Sequence, residues 1–339
     1  MRSAQRRIGL VLAIIALIVC SSATAAGALS LHPTDWQSSI ISIAPSTDVV
    51  SIDVLNGGEA IQLTTQPGHS ALILGYRNEP YLRISTDGEV QANLKSPTWW
   101  ANKSGTGSGS LPASADPLAE PEWSTIGTNG SVAWHDHRIH AMPGVTAGAD
   151  WTVLISVDDK PLVIRGQLTK LPSHGPLIEL LVALVAAATI VVLGFRRPWF
   201  ASTLSVVVGA IVSLTISIGA WTATPPGFTH PWVQTLAAAL ALLLAGGCLA
   251  IRRASRRVRV ATMVGAVAAL GWWTALNVSV LTAVFIPNSL TAGLVRFGVG
   301  LVVGLLVGTA VVIVVSGGFT ETEPRDQAVV GSGNGVAST

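Results

Sequence analysis

Residues 176–197 read PLIELLVALVAAATIVVLGFRR, and this stretch decides how the rest of the chain is understood. Between Pro176 and Arg196 there is one charge, Glu179, in an otherwise apolar run. About twenty helical residues at a rise of about 1.5 Å match a bilayer core of about 30 Å. The run ends in Arg196 and Arg197, which suit a cytoplasmic membrane edge. Membrane-spanning helices therefore start here, and the polar sequence before Pro176 must fold by itself.

Downstream, apolar runs recur at about 199–222, 232–251, 261–285 and 290–316, giving five spans over 175–318. Arg252, Arg253, Arg256, Arg257 and Arg259 follow the third run, whereas the connections at 222–231 and 286–289 hold no Lys or Arg. The positive-inside rule places the arginine loops in the cytoplasm and the segment before Pro176 outside. Residues 319–339 are polar and rich in Gly and Ser, as expected of a disordered cytoplasmic tail. No acidic residue lies deep in a span, Pro225 and Pro226 fall in a loop, and five spans do not divide into two repeats. These features argue against a proton-coupled transporter and for an anchor or assembly platform.

Upstream, residues 1–27 have the form of an export signal. Arg2, Arg6 and Arg7 precede thirteen apolar residues from Ile8 to Cys20 and the small-residue stretch Ser21–Ala25. Val19 before Cys20 departs from a lipoprotein signal, and an uncleaved anchor is the main rival reading. Residues 28–174 are expected to form an all-β exported domain, an Ig-like antiparallel sandwich. Strands are expected at 39–43, 49–55, 60–65, 71–74, 81–84, 132–137, 151–157 and 162–168. Asn56-Gly57-Gly58 and Asp158-Asp159 read as hairpin turns, and 103–117 as a long flexible loop. The net charge of +2 gives no argument for nucleic acid. The two cysteines, Cys20 and Cys248, both lie outside the exported segment, which excludes a disulfide framework or a thiolate metal site there.

Three of the seven histidines fall within Trp134-His135-Asp136-His137-Arg138-Ile139-His140. On an extended strand His135 and His137 share a face, with Asp136 and Arg138 opposite and free to pair. His140 joins them if the chain turns, and Met142 adds a soft donor. Histidine with methionine and no cysteine suits copper at an oxidising surface. The competing reading makes these histidines polar pins of the fold, and both readings stand at this stage. His32 and His69 are weaker ligand candidates. Glu79, Tyr81 and Arg83 are candidates for the same site, with Tyr81 and Arg83 on one strand face and Arg83 available to a carboxylate such as Asp136. Trp99, Trp100 and Trp123 read as core or interface aromatics. No nucleophile elbow accompanies the histidines, so an enzyme is the least supported class.

The string from Gly75 to Ile84 (GYRNEPYLRI), Asn93, Ser96-Pro97, Pro121-Glu122-Trp123 and the histidine heptad resembles a family of actinobacterial membrane proteins of unassigned activity. The resemblance covers the exported domain and the signal-plus-helices layout. Family members tend to carry Trp-Met after the last histidine, where this chain has Ala141-Met142. Genes similar to this one often lie near those for small copper-handling surface proteins, which implies copper as a cofactor and such proteins as partners. No activity follows from the resemblance.

Two charges lie within spans, Glu179 and Arg296, at similar depth near the outer face. They are expected to pair, or else to reach the headgroups separately. Gly300, Gly304 and Gly308 recur every four residues and invite close helix packing, within the chain rather than between chains. The sequence thus predicts a multi-pass plasma-membrane protein with a surface-exposed binding or accessory domain, handling copper through its histidines. The alternative is a structural or assembly component of the envelope.

Overall fold

A computed structural model of the protein describes residues 31–103, 111–142, 144, 146–250 and 255–316. The expected signal (1–27), the tail (319–339), the Gly/Ser-rich centre of the long loop and Arg252-Arg253 lie outside these residues. The described chain forms an antiparallel β-sandwich followed by five helices long and apolar enough to cross a membrane.

The strands are β1 (Trp36–Ala44), β2 (Val50–Leu55), β3 (Ala60–Thr65), β4 (Ala71–Leu74), β5 (Pro80–Ile84), β6 (Val90–Asn93), β7 (Trp123–Gly127), β8 (Ser131–Trp134), β9 (Ala149–Val157) and β10 (Lys160–Lys170). Seven form one sheet in the order β1-β10-β9-β4-β5-β6-β7, and β2-β3-β8 form the other. Alternation along β9 and β10 buries Trp151, Val153, Ile155, Leu162 and Ile164 against Ile61, Leu63 and Trp134 of the smaller sheet. This period-two pattern makes these segments strands. Asp158 and Asp159 both adopt positive φ (48° and 61°), as a two-residue hairpin turn requires. The sequence reading does not contain β6, β7 or the short helix α1 (Pro97–Ala101), whose Ser96 cap accepts from the Trp99 amide.

The spans are α2 (Leu177–Arg196), α3 (Pro198–Thr222), α4 (Trp232–Ala250), α5 (Arg256–Asn277) and α6 (Ala292–Val315). Helices α2 and α6 run in the same direction with their backbones nearly touching. A Cβ on Gly300 would lie 2.8 Å from Glu179 O, one on Gly304 would collide with Ala183 O, and one on Gly308 would lie 2.8 Å from Ala187 O. The glycine row therefore packs within the chain, as its four-residue spacing suggests. Helix α3 contacts α4, α5 and α6, and hydroxyls join it to two of them. Ser205 Oγ donates to Leu305 O (2.9 Å), and Trp273 Nε1 donates to Ser217 Oγ (2.9 Å).

The fourth span is shifted from its expected 261–285. It begins at Arg256, and α5 ends at Asn277 in a short 3-10 turn, Val278–Leu281. Residues 282–285 leave the helix because the β domain supplies their partners. Thr34 and Phe285 exchange both backbone bonds (3.0 and 2.9 Å), Asp35 Oδ1 accepts from Val284 N (2.9 Å), and His174 N donates to Thr282 O (2.7 Å). This seam joins the sandwich to the α5–α6 connection. At the opposite end of the bundle lie Arg196, Arg197 and Arg259, the last with its guanidinium 4.5 Å from the Trp199 ring centre.

Candidate metal centre

The register of β3 on β8 builds the site. Ile61 faces Trp134, and continuing this antiparallel pairing past the strand end brings Ala60 and Glu59 alongside His135 and Asp136. His135 Nδ1 hydrogen-bonds Glu59 O at 2.8 Å. That carbonyl only accepts, so Nδ1 carries the proton and Nε2 keeps its lone pair. Nε2 is fully buried and, among the described residues, has no hydrogen-bond partner.

Strand β8 stops at Trp134, short of the expected His137, because Asp136 draws the chain into a turn. Its carboxylate accepts from Trp134 Nε1 (3.0 Å), the Arg138 amide (3.0 Å), Arg138 Nε (2.9 Å) and Arg138 Nη2 (2.7 Å). Ile139 N then closes on Asp136 O at 3.1 Å. Burial acts to raise the Asp136 carboxyl pKa, but Arg138 and the Trp134 indole outweigh it and hold the group below the ordinary carboxylate range. The expected pairing of Asp136 with Arg138 is thus present, although the two do not share a strand face. The turn returns His140 to His135, with ring centres 4.9 Å apart, and His140 Nδ1 lies 3.4 Å from Glu59 Oε1.

Glu59, His135 and His140 each offer a ligand atom, and these atoms all lie within 4.8 Å of one another. Burial pushes the Glu59 carboxyl up to about 7, against the opposing hydrogen bond from the His32 amide. Burial pushes His140 down to about 4, helped by His135, His137 and His32, and it lowers His135 as well. The 3.4 Å approach of His140 to Glu59 meets the distance of an ion pair, but burial keeps the imidazole neutral. The cluster therefore combines two neutral imidazoles with a buried carboxyl that, among the described residues, has no Lys or Arg paired with it.

Glu59 is the candidate ligand that sequence reasoning missed. Its local signal is an acidic residue set directly between the Gly57-Gly58 turn and the buried strand Ala60-Ile61, with no basic residue adjacent. The glycines are required there. Both take positive φ (70° and 120°), and a Cβ on Gly57 would lie 2.5 Å from Trp36 O and 2.7 Å from the Phe285 ring.

The other candidates are distributed around the cluster. His137 lies beside it, its ring edge-on to His135 (centres 5.0 Å) and stacked on Tyr76 (6.2 Å), while its amide donates to Tyr76 Oη (2.9 Å). Tyr76 Oη in turn donates to Asn102 Oδ1, and Asn102 Nδ2 donates to Tyr81 Oη (3.2 Å). Met142 is held by its amide to His140 O (2.9 Å). Glu79 serves the fold instead. It accepts from Ser96 Oγ (2.8 Å), Thr98 Oγ1 (2.7 Å) and the Arg77 amide (2.9 Å), fixing α1 to the β4–β5 turn. Tyr81 and Arg83 do not share a face. Leu74 pairs with Pro80 while Ile73 pairs with Leu82, so Tyr81 is an inserted bulge residue turned into the core. Arg83 bonds Gln91 Oε1 (2.5 Å) and lies 4.3 Å from the Trp123 ring centre, while the Asp136 carboxylate is taken by Arg138. His69 pairs with Asp158 (2.7 Å), apart from the cluster.

Glu179 and Arg296 do not pair with each other. Glu179 Oε1 takes His174 Nε2 (3.1 Å), and Arg296 Nη2 donates to Ala283 O (2.6 Å) and Val284 O (3.2 Å). The carbonyls freed where α5 breaks give the guanidinium nearer partners than a carboxylate on another helix. Comparison with protein-family models, curated proteins and solved structures finds no match to this chain.

Proposed function

We propose that this is a multi-pass membrane protein whose exported β domain holds one transition-metal ion on Glu59, His135 and His140, and that copper(II) is the ion. The observation that carries the reading is His135 Nε2, a buried lone pair without a partner among the described residues, whose ring is oriented by a carbonyl on Nδ1. A metal-ligating histidine is characteristically braced in this way. Two imidazoles and a carboxylate without thiolate suit copper(II) or zinc, and copper(II) binds such donors more tightly than zinc. Three protein ligands also leave a position open. The location outside the cytoplasmic membrane is supported by the arginines at the end of the bundle opposite the sandwich. The resemblance to the actinobacterial family supports copper-handling surface proteins as partners, with the helices serving as an anchor in the bilayer.

The test uses the full-length protein in detergent, stripped with chelator and offered copper(II) or zinc. One ion per chain after desalting is expected for the wild type, and none for Glu59→Gln or for the His135→Ala/His140→Ala pair. Absence of stoichiometric uptake by a folded wild type overturns the reading. The 2.8 Å bond from His135 to Glu59 O favours a second reading, an envelope component in which the histidines only pin the turn to β8. That reading expects the histidine variants to unfold and the wild type to show no metal affinity.

A further inference from the structure

We propose that the arginine-bearing end of the helix block binds the headgroup of an anionic phospholipid, centred on Arg196, Arg197 and Arg259 around the Trp199 ring. The inference is independent of the metal centre.

Charge balance is the starting point. Between residues 180 and 320 there is no Asp, Glu or Lys. Seven of the eight arginines in that stretch lie at the end opposite the sandwich: Arg196, Arg197, Arg252, Arg253, Arg256, Arg257 and Arg259. Residues 321–339 bring only Glu321, Glu323 and Asp326, partly cancelled by Arg325. The chain therefore cannot neutralise these guanidiniums by itself. Helix dipoles help only some of them. Arg196 closes α2, where a cation is favoured, but Arg256, Arg257 and Arg259 open α5, where the dipole opposes a cation and no acidic residue offsets it.

The fold gathers this charge instead of dispersing it. Arg197 alone joins α2 to α3, and Trp199 follows in the first turn of α3. The Arg259 guanidinium lies 4.5 Å from the Trp199 ring centre, which brings the start of α5 against the α2–α3 corner. The ring face attracts the cation but cancels none of its charge. Arg259 Nε is buried and, among the described residues, has no hydrogen-bond partner. Arg196 and Arg197 are exposed beside it. A phosphate diester suits this group, because each guanidinium can donate to two of its oxygens at once.

The surroundings favour a lipid over a soluble phosphate. Arg196 ends a twenty-residue apolar helix and so stands at the bilayer boundary, where basic groups between helices receive lipid heads. Phe195, Phe200 and Val258, the sequence neighbours of Arg196, Trp199 and Arg259, are 72%, 53% and 48% exposed. A headgroup held by the arginines thus has an apolar wall beside it for its acyl chains.

The experiment titrates metal-stripped, full-length protein in detergent with phosphatidylglycerol or with phosphatidylcholine of the same chains, and reads bound lipid by native mass spectrometry. The wild type should retain phosphatidylglycerol and not phosphatidylcholine. At about 1 kcal/mol per basic group near a lipid surface, Arg259→Gln should weaken retention roughly 5-fold, and the Arg196→Gln/Arg197→Gln/Arg259→Gln triple variant on the order of 100-fold. Arg196 and Arg197 are exposed, so the Arg196→Gln/Arg197→Gln pair should fold as the wild type does and still lose roughly 30-fold. Arg165→Gln, the same charge change on the exposed side of β10, should retain phosphatidylglycerol as the wild type does. Equal retention of the two lipids by the wild type, or equal losses in Arg165→Gln and the Arg196→Gln/Arg197→Gln pair, overturns the proposal. Displacement of phosphatidylglycerol by millimolar inorganic phosphate overturns the choice of a lipid over a free anion.

Discussion

Replacing Glu59 by Gln should make the metal-free protein more stable at pH 8, and added metal should remove most of that difference. Glu59 titrates in the folded chain at about 7, against an ordinary value of 4.5, because burial disfavours its charge. A carboxyl whose folded pKa is raised binds more protons folded than unfolded. Its contribution therefore falls as pH rises from 4.5 through 7 and is fully adverse above that. The difference between the two values corresponds to about 3 kcal/mol at pH 8. Gln keeps the shape and the acceptor for the His32 amide but carries no charge, so it removes this penalty. At pH 4 the carboxyl is largely protonated both folded and unfolded, and the two proteins should match closely. His140, pushed down to about 4, acts in the opposite sense, its contribution growing as pH rises from 4 to 6.5, but it is common to both proteins. Thermal unfolding of the full chain in detergent, followed by tryptophan fluorescence, is the assay. For a unit of this size about 3 kcal/mol corresponds to a shift of roughly 6–12 °C in favour of Gln at pH 8 without metal. Copper at about 100 times its Kd stabilises the wild type by about 2.7 kcal/mol, which should largely close that gap, whereas Glu59→Gln should not respond. If metal-free Glu59→Gln melts at or below the wild type at pH 8, Glu59 is not a carboxylate waiting for a cation, and the central argument for the site fails.

Further outcomes follow from the same geometry. Metal uptake at pH 6 should release about 0.9 proton per ion from Glu59 and close to none from it at pH 8, as read by calorimetry in buffers of different ionisation enthalpy. Asp136→Asn should cost about 3–5 kcal/mol by leaving the Arg138 guanidinium without its charged partner, measurable as a lower Tm at every metal concentration. Gly304→Leu should drive α2 off α6 at Ala183, at a cost of about 1–3 kcal/mol or more, visible as reduced yield of folded protein, whereas Gly293→Leu, where a Cβ meets nothing within 4 Å, should be tolerated. In intact cells, Asp87→Cys should react with an impermeant maleimide and Ser255→Cys only after permeabilisation, in a background with the native cysteines replaced. The reverse pattern would refute the orientation.

Much of the fold can be read in the sequence because burial imposes local periods. The β-branched alternation of β9 and β10 and the long apolar runs each report their own environment. Strands β6 and β7 escape for the same reason. Val90–Asn93 and Trp123–Gly127 carry little alternation, and they are strands because β5 and each other supply hydrogen bonds across a long connection. The break in the fourth span has the same origin. Val284 and Phe285 are apolar enough for a helix, and only the distant Thr34 and Asp35 make leaving it favourable.

The site divides along the same line, and the division bears on what the site is for. His135 and His140 are visible because they sit five residues apart, and Asp136 only has to turn the chain between them. Glu59 lies 76 residues before His135, and its place beside the imidazoles depends on the β3–β8 register, which no local pattern encodes. If the histidines were needed only to pin a turn, the backbone bond from His135 Nδ1 to Glu59 O would be enough, and position 59 would need only an acceptor for the His32 amide, which glutamine supplies without a charge. A buried glutamate there adds no hydrogen bond to His135 and carries a desolvation cost. On the proposed reading, a residue that costs stability in the empty protein, beside an imidazole nitrogen with no partner among the described residues, is accounted for by a cation that satisfies both.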